Sequence, residues 1–555
     1  MVKQRWMSIK DRLKTGERRR NRIRKYLDEI RRGEVDVRRD YEWIPLYFQC
    51  LQSRQSDGAA SGTSYTVDDR TWDDLEMDQV FARIDRTVSV IGRQYLYAML
   101  RTYVSDPSGR EKQRLNTLYS IFRTDEALRE KIQTALYPLR SDKIAWLVSL
   151  FYEDLPEKSR YAWLIYLCSV LFFLSAALIA VNPAFFFAAI GMAFCNLLIN
   201  AFYGSAILRR ADLVPFTIML SATGKLAQIN PPYGISELDN LRSLKDFANK
   251  LNKKVFWLCI SEEQTGSDLV AAFYGFLNHF GLVRLVAFLR IINDLRNSRD
   301  KLRRIFDAVG SLDACIAIAS WLQGESESAV PSFDESSESG AHGTSGIIDV
   351  EGMYHPLIEN AVGNSFSLRG ESALITGSNM AGKTSFIKTV GVNMILAQAI
   401  FVVLAKRACL PRRIVRSSIK REEQVLDGQS YYSREIELLR EFLNCPENNY
   451  LFLIDEIFRG TNTVERVAIS AATLRYLTRR NVLLVTTHDV ELQSLLADCT
   501  RMFHFSEQVD GNRYYFDFIL RDGPCRAGNA IRLIELKGYP PDIVMEARRL
   551  AGNQR

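Results

Sequence analysis

Apolar and polar positions follow different periods along the chain and divide it into regions. Apolar residues recur at helical spacing over residues 66–149 and again over 211–323. From residue 347 onward, short apolar runs alternate with helical patterns, which predicts an α/β domain. Two polar stretches rich in small residues, 52–64 and 324–346, separate these regions and predict linkers.

One apolar segment stands apart from this pattern. Tyr161–Leu208 contains no Asp, Glu, Lys or Arg in 48 residues and is interrupted near its middle by Asn182-Pro183. A membrane span needs about 20 apolar residues, so the segment has room for two helices and a turn. Basic residues flank both ends, which predicts a transmembrane hairpin with both ends in the cytoplasm. The alternative is a buried helical hairpin in a soluble core, although soluble cores rarely run this long without a charge.

Positive charge is concentrated at the beginning of the chain, and the cysteines are scattered along it. The first 40 residues hold 15 Lys/Arg and 7 Asp/Glu, a balance of +8, which leaves −1 for the rest of a chain with net charge +7. This basic arm is either a solvated helical arm or a contact for anionic lipid headgroups or nucleic acid phosphates. The nine cysteines form no CxxC pairs, which indicates a reducing compartment and no zinc site.

A phosphate-binding motif follows the apolar strand predicted at Ser372–Thr376. Its residues are Gly377, Ser378, Asn379, Met380, Ala381, Gly382, Lys383 and Thr384, and they lead into a predicted helix. This is GxxxxGK[ST] between a strand and a helix, where backbone N–H groups and the helix N-terminus face phosphate oxygens. The motif predicts ATP binding, with Lys383 at the β- and γ-phosphates and the Thr384 hydroxyl on Mg²⁺.

Two further predicted strands end in polar residues that complement this motif. The apolar run from Tyr450 ends in Asp455 and Glu456. We expect Asp455 to bind Mg²⁺ and Glu456 to orient or deprotonate the attacking water. The strand predicted at Val482–Val485 leads to His488, a candidate sensor of the γ-phosphate.

Between the motif and the acids, Gly428-Gln429-Ser430 opens another predicted helix. Helix capping alone would explain a serine here. In ABC-type ATPases, however, an element in this order places its serine on the γ-phosphate bound by the partner subunit. That order predicts a homodimer through the ATPase domains, with Ser430 acting in trans.

The motifs resemble those of the MutS family. Residues 376–384 are similar to its TGPNMGGKS, residues 454–463 to its DEIGRGTST, Thr487-His488 to its ATH, and Gly428-x-Ser430 with Glu435 to its signature. Residues 84–101 resemble the opening of the MutS core domain. The resemblance implies an ABC-type ATPase domain, a helical core domain and DNA as the partner.

The chain also departs from the family pattern. About 65 residues precede the core match, which is too few for a mismatch-recognition domain and a connector. The segment that normally forms the DNA clamp is shortened or replaced. Ala381 in the phosphate loop and Phe458 after the acids are milder changes that leave the expected chemistry intact.

The predicted fold class is α plus α/β. The expected regions are a basic arm and linker (1–65), a MutS-like core domain (66–160 and 209–323) interrupted by two transmembrane helices (161–208), a linker (324–346) and an ABC-type P-loop ATPase domain (347–555). This architecture predicts a membrane-anchored MutS-like ATPase that uses ATP and Mg²⁺ and binds DNA in mismatch repair or recombination control. The alternative is a membrane-tethered ATPase motor that acts on a protein partner. Two spans are too few for a self-contained transport channel.

Overall fold

The computed structural model describes most of the chain. The described residues are 21, 23–32, 42–56, 65–104, 106, 108–153, 162–207, 213–256, 275–334, 346–378, 380–419, 431–445, 449–458, 462–510, 513–525, 531, 534–535 and 537–552. The chain divides into two compact units. The first comprises Met1–Gly62, Ile84–Ala98 and Thr117–Gln323, and the second Thr63–Arg83, Met99–Asn116 and Gly324–Arg555.

Helices account for nearly all of the regular structure before residue 324. In chain order they are α1 (23–32), α2 (Leu46–Ser56), α3 (Asp69–Asp74), α4 (Met77–Ile84), α5 (Val90–Arg101), α6 (Arg110–Thr124), α7 (Glu126–Leu136), α8 (Leu147–Tyr152), α9 (Ala162–Leu178), α10 (Phe185–Ile207), α11 (Leu213–Leu226), α12 (Ser236–Ser243), α13 (Lys245–Phe256), α14 (275–280), α15 (Val283–Asn297) and α16 (Arg299–Leu322). The helical character predicted for residues 66–149 and 211–323 is therefore confirmed for the described residues.

The core of the first unit contains α16, in which every residue from 308 to 322 is buried. Asp313 in its middle is fully buried and accepts hydrogen bonds from the backbone N–H groups of Val88 (3.0 Å) and Ser89 (2.7 Å) and from the Ser89 hydroxyl (2.5 Å). The first N–H groups of a helix have no partner within the helix, and this carboxylate satisfies donors just before α5 begins. Burial raises the pKa of Asp313 to about 6, against the lowering effect of these hydrogen bonds.

Helices α9 and α10 form the hairpin expected at residues 161–208, with the turn at Asn182, whose Oδ1 accepts from the Ala184 N–H (2.9 Å). Most of their apolar side chains point outward, and Val181, Phe187 and Phe202 are 79%, 77% and 79% exposed. Within the described residues, Phe185–Phe202 and α16 are long and apolar enough to cross a membrane, but 11% of the first stretch and 94% of the second are buried. Two helices and the turn between them therefore lie where the sequence predicted them, and they have an outward apolar surface.

The second unit combines sheets and helices, as predicted for residues after 347. Its strands are β1 (Ser332–Phe333), β2 (Ile347–Met353), β3 (Asn364–Arg369), β4 (Ser372–Thr376), β5 (Arg407–Leu410), β6 (Ile414–Ser418), β7 (Tyr450–Asp455), β8 (Val482–Thr487), β9 (Thr500–His504), β10 (Glu507–Asp510), β11 (Arg513–Phe516) and β12 (Arg521–Asp522). The remaining labelled helices are α17 (Lys383–Ile400), α18 (Tyr431–Leu443), α19 (Thr463–Leu477), α20 (Glu491–Leu495) and α21 (Pro541–Gly552).

The larger sheet has the strand order β12-β9-β4-β8-β7-β6. All its neighbouring strands run parallel except β12, which pairs antiparallel with β9 at the edge. A second sheet has the order β1-β5-β2-β3, and β10 and β11 form a separate hairpin. In a parallel sheet the strands end at one common edge, so the carboxyl ends of β4, β7 and β8 lie together.

The two predicted linkers are each wrong in part. Residues 52–56 form the end of α2, and only 57–64 lie outside the described residues. Within 324–346, Ser332–Phe333 pairs with β5, and Ala329 forms an isolated bridge with Val403. Polar composition suggested mobile chain in both places. Backbone pairing with a distant strand is invisible in local composition, which explains the error.

The units also divide the chain differently from the predicted domains. Residues 63–83 and 99–116 belong to the second unit, although the sequence grouped them with the core domain. Asp74 explains part of this assignment, because its Oδ2 accepts from the Ser417 hydroxyl (2.7 Å) and the Ile419 N–H (3.0 Å) at the end of β6. Lys388 of α17 likewise donates to Glu76 Oε1 (2.7 Å).

Candidate functional site

The loop between β4 and α17 has a backbone that only particular residues adopt easily. Gly377 and Gly382 have φ values of 144° and 102°, in the region that favours glycine. A Cβ on Gly377 would lie 2.5 Å from the Phe505 carbonyl oxygen. Met380 also has a positive φ (71°) and is 85% exposed, whereas Ala381 is buried. Asn379 of this loop lies outside the described residues.

Lys383 is the first residue of α17, and its side chain turns back over the loop. Its Nζ donates to the carbonyl oxygens of Gly377 (2.6 Å) and Ser378 (2.8 Å), and the residue is 5% exposed. A helix N-terminus and a lysine ammonium therefore face the same loop. Both favour an anion at this position.

Asp455, at the end of β7, is held between two hydroxyl groups. The Thr384 hydroxyl of α17 donates to its Oδ2 (2.9 Å), and the Thr486 hydroxyl of β8 donates to its Oδ1. The register of β7 and β8 places Asp455 directly opposite Thr486. The sequence assigned both Asp455 and Thr384 to Mg²⁺, but it gave no role to Thr486, whose contact depends on strand register. Hydroxyl and carboxylate oxygens are ligands that suit Mg²⁺.

Glu456 lies at the turn that follows β7. It has a φ of 56°, its side chain is buried, and its backbone N–H donates to the Thr486 carbonyl (3.0 Å). Oε1 of Glu456 is 3.4 Å from Nδ1 of the half-exposed His488. A strained backbone at a non-glycine residue is common at functional sites. The structure therefore brings together the acid and the histidine that the sequence placed on separate strands.

Further contacts hold the ends of these strands. Arg466 of α19 forms two hydrogen bonds to Asp489 (3.0 and 2.7 Å), and the Asp489 N–H donates to the Thr487 hydroxyl (3.0 Å). This bidentate pair fixes the segment that carries His488. Sequence reasoning missed it, because neither residue belongs to a motif.

A buried carboxylate connects the loop after the acids to helix α18. Glu435 Oε1 accepts from the N–H of Phe458 (2.5 Å), a residue with a φ of 57°. Glu435 belongs to the segment that resembles the family's signature. Ser430, at the start of that segment, lies outside the described residues, so its action in trans stays a prediction.

An aromatic ring lies beside the loop and was also missed. A Cβ on Gly382 would be 3.2 Å from Cδ1 of Phe518, which is 45% exposed and has a φ of 56°. Asn364 holds this turn, because its Nδ2 donates to the Phe518 carbonyl (3.1 Å) and its Oδ1 accepts from the Leu520 N–H (2.7 Å). Phe518 is distant from the loop in sequence, and no motif signals it.

The fold and these contacts define a class: a parallel α/β domain with a glycine-rich loop before a helix and acids at neighbouring strand ends. Residues 373–554 match the family described as MutS domain V. It is 31% identical over 219 residues to the DNA mismatch repair protein MutS of Natronomonas pharaonis, covering 38% of this chain and 26% of that protein. It is 32% identical over 256 residues to the endonuclease MutS2 of Thermus thermophilus, covering 42% of this chain and 32% of that protein. The matches span about a quarter to a third of these relatives.

Proposed function

We propose that the second unit binds ATP with Mg²⁺ and hydrolyses it. The observation that carries this proposal is the convergence of Lys383, the Thr384–Asp455 pair and the Glu456–His488 pair at one edge of the sheet. Phosphoryl transfer depends mainly on positioning and on stabilising negative charge. The contacts support both requirements, with a cation, backbone N–H groups and two acids close together.

Each residue has a distinct proposed role. Lys383 exchanges its bonds to the loop carbonyls for phosphate oxygens, and Thr384 with Asp455 holds Mg²⁺. Bound Mg²⁺ neutralises charge on the phosphate oxygens. Glu456 accepts the proton of the water that attacks the γ-phosphorus, and the bond to the β-phosphate oxygen breaks. His488 orients Glu456 and senses the γ-phosphate, and the exposed ring of Phe518 stacks on the adenine.

We further propose that the α9–α10 hairpin anchors the protein in a membrane. A helix of 17 residues, such as α9, is about 26 Å long, close to the roughly 30 Å of a bilayer's hydrocarbon layer. The outward apolar side chains of both helices support this proposal, because monomeric soluble proteins rarely expose so large a contiguous apolar surface. The N-terminus and the second unit then lie in the cytoplasm.

The proposed partners follow from the relatives. One relative is named a DNA mismatch repair protein and another an endonuclease. These names support DNA as a partner in mismatch repair or recombination control. The order of the phosphate loop, the signature segment and the acidic strand along the chain also supports a homodimer through the ATPase domains. Ser430 of each subunit would complete the ATP site of the other. The outward hairpin surface favours a second candidate, a membrane-tethered motor that acts on a protein.

Glu456→Gln tests the proposed hydrolysis. Removing the proton acceptor should lower ATP turnover at least about 100-fold while ATP remains bound. Glu371→Gln is the matched control, because Glu371 is exposed at the opposite end of β4. Turnover and retained nucleotide should be measured on detergent-solubilised protein. Equal turnover in the two variants would refute the role of Glu456.

DNA binding separates the two candidate functions. Binding to duplex, mismatched and branched DNA should be measured at low and high salt, since phosphate contacts make affinity fall steeply with salt. Affinity for one of these probes with a clear salt dependence supports the DNA candidate. Absence of binding at low salt would refute it and leave the membrane-tethered motor.

A further inference from the structure

The polypeptide breaks its helical path immediately before α15. Helix α14 ends at residue 280, the Gly281 N–H donates to the Leu277 carbonyl (2.9 Å), and Leu282 has a φ of 53°. At such a break the last carbonyl groups of the helix have no N–H groups from a following turn to accept from. In water these groups would be solvated, so their actual partners are informative.

The partners are the polar side chains of the apolar hairpin. Asn196 of α10 donates through Nδ2 to the Phe280 carbonyl (2.6 Å), and the Ser169 hydroxyl of α9 donates to the Gly281 carbonyl (2.7 Å). Both side chains are buried, although these two uncharged helices expose most of their large apolar side chains. The hairpin therefore uses buried polar groups to satisfy the backbone of a third segment.

Apolar contacts surround these hydrogen bonds. One buried cluster joins residues of α9 to residues at and after the break, namely Ala162, Ile165, Leu282, Leu285 and Leu289. Phe276 of α14 packs against Phe172 of α9, with ring centroids 6.2 Å apart, yet remains 50% exposed. A Cβ on Gly281 would lie 2.6 Å from the Phe173 ring, so glycine permits this close approach.

The break lies well along the hairpin and not at its base. Ser169 comes seven residues after Ala162, the start of α9, which at 1.5 Å per residue is about 10 Å along the helix. Asn196 comes eleven residues before Ile207, the end of α10 at the base of the hairpin, or about 16 Å. In a hydrocarbon layer roughly 30 Å thick, both positions are below the headgroups. Irregular backbone at such a depth is tolerated only where protein covers it.

We propose that residues 275–289 enter the hydrocarbon layer beside the hairpin as a broken helix, so that three elements contact lipid. This proposal rests on the proposed membrane anchoring. Asn196 and Ser169 satisfy the carbonyl groups of the break, and the outer face of α14 contacts acyl chains through Phe276. Helix α15 then returns toward the surface, where the Arg290 guanidinium lies 6.0 Å from the centre of the Tyr166 ring, near the base of α9.

Photo-crosslinking of the full chain in phosphatidylcholine–phosphatidylglycerol vesicles tests the proposal. A p-benzoylphenylalanine is placed singly at Phe276, at Phe194 on the hairpin (61% exposed) or at Tyr476 in the second unit (51% exposed). We expect lipid adducts at positions 276 and 194 and none at 476, detected by mass spectrometry. Adducts at 194 without adducts at 276 would overturn this inference and leave the anchor standing. Absence of adducts at both would overturn the anchor and the inference together.

Hydrogen exchange of residues 275–289 in the same vesicles provides the second measurement. Asn196→Leu and Ser169→Ala each remove one interhelical donor, and we expect exchange around residue 281 to accelerate about threefold to tenfold. The matched controls are Asn200→Leu, one turn further along α10, and Ser175→Ala, whose hydroxyl donates only locally to Phe172 (2.9 Å). Exchange unchanged in both test variants would overturn the roles of Asn196 and Ser169.

Discussion

Helices α10 and α16 have similar apolar composition and opposite surroundings. Each contains a stretch of at least 18 residues apolar enough to cross a membrane, but 11% of the stretch in α10 is buried against 94% in α16. The difference lies in the polar residues. The hairpin has no charged residue, whereas α16 carries Asp307 and Asp313 within its buried length.

Asp307 and Asp313 both have partners from outside α16. Asp307 Oδ1 accepts from the hydroxyl groups of Tyr47 and Tyr152, both at 2.7 Å, and burial raises its pKa. Asp313 accepts three bonds at Ser89 and Val88. The acids within the apolar helix α16 therefore indicate that protein surrounds it. The uncharged, outward-facing surface of the hairpin is instead typical of a helix surrounded by lipid. Substitutions in the two helices can break or sharpen this comparison.

The largest expected effect comes from one arginine placed in α16 and one placed in the α9–α10 hairpin. Ala317 of α16 is fully buried, so Ala317→Arg should prevent the first unit from folding, because an unpaired buried charge costs several kcal/mol of a typical stability of 5–15 kcal/mol. Val170 of α9 is 61% exposed, so Val170→Arg should fold normally in detergent. It should insert less well into membranes, by about 2.5–3.5 kcal/mol. Circular dichroism and carbonate extraction measure the two outcomes. Equal unfolding by both substitutions would break the comparison.

A smaller effect is expected from the buried acid itself. Asp313→Ala leaves the N–H groups of Val88 and Ser89 without their acceptor, and we expect a loss of about 2–4 kcal/mol in the free energy of unfolding. Asp300→Ala is the control in the same helix, because the Asp300 side chain is 94% exposed, and it should change stability by less than about 0.5 kcal/mol. Denaturant titration of the two variants measures the difference. Similar losses would show that α16 is no more specifically packed at Asp313 than at its exposed end.

The change in the free energy of unfolding with pH that Asp313 causes should be smaller again. Its pKa is raised to about 6 in the folded protein, above the roughly 3.9 of an unfolded aspartate. The folded state therefore binds more protons between these values, and the stabilisation present at low pH is lost as pH rises through 6. Relative to Asp313→Asn, the wild type should be about 1 kcal/mol more stable at pH 5 than at pH 7. A difference of the opposite sign would show that the hydrogen bonds outweigh burial.

The local parts of the fold and site could be predicted from the sequence. The strand at Ser372–Thr376 has the predicted bounds, and a helix follows the glycine-rich loop and an apolar strand ends in Asp455, as predicted. These elements depend on runs of apolar residues and on glycines at fixed offsets, which are properties of neighbouring residues. The hairpin turn at Asn182 was predictable for the same reason.

The remaining features depend on contacts between distant residues. The bond from Ser89 to Asp313 joins positions 224 residues apart, and the bond from Asn196 to Phe280 joins positions 84 apart. Thr486 at Asp455 and Phe518 at Gly382 likewise follow from strand register and turn geometry. One sequence without structure contains no signal for such pairs, which explains why the site was predicted without them.

The smallest effect is expected at the tip of the hairpin and tests what surrounds it. Phe187 is 77% exposed near the start of α10, so Phe187→Ala should change the free energy of unfolding in detergent by less than about 0.5 kcal/mol. Phe306→Ala is the comparison in α16, where the ring is fully buried and its removal should cost about 3–5 kcal/mol. Both values come from denaturant titration in one detergent, which replaces lipid around the hairpin but not protein around α16. A loss above about 1 kcal/mol in Phe187→Ala would mean that protein, and not lipid, covers the tip of the hairpin. Helices α10 and α16 would then differ only in which protein segments cover them, and not in whether lipid or protein surrounds them.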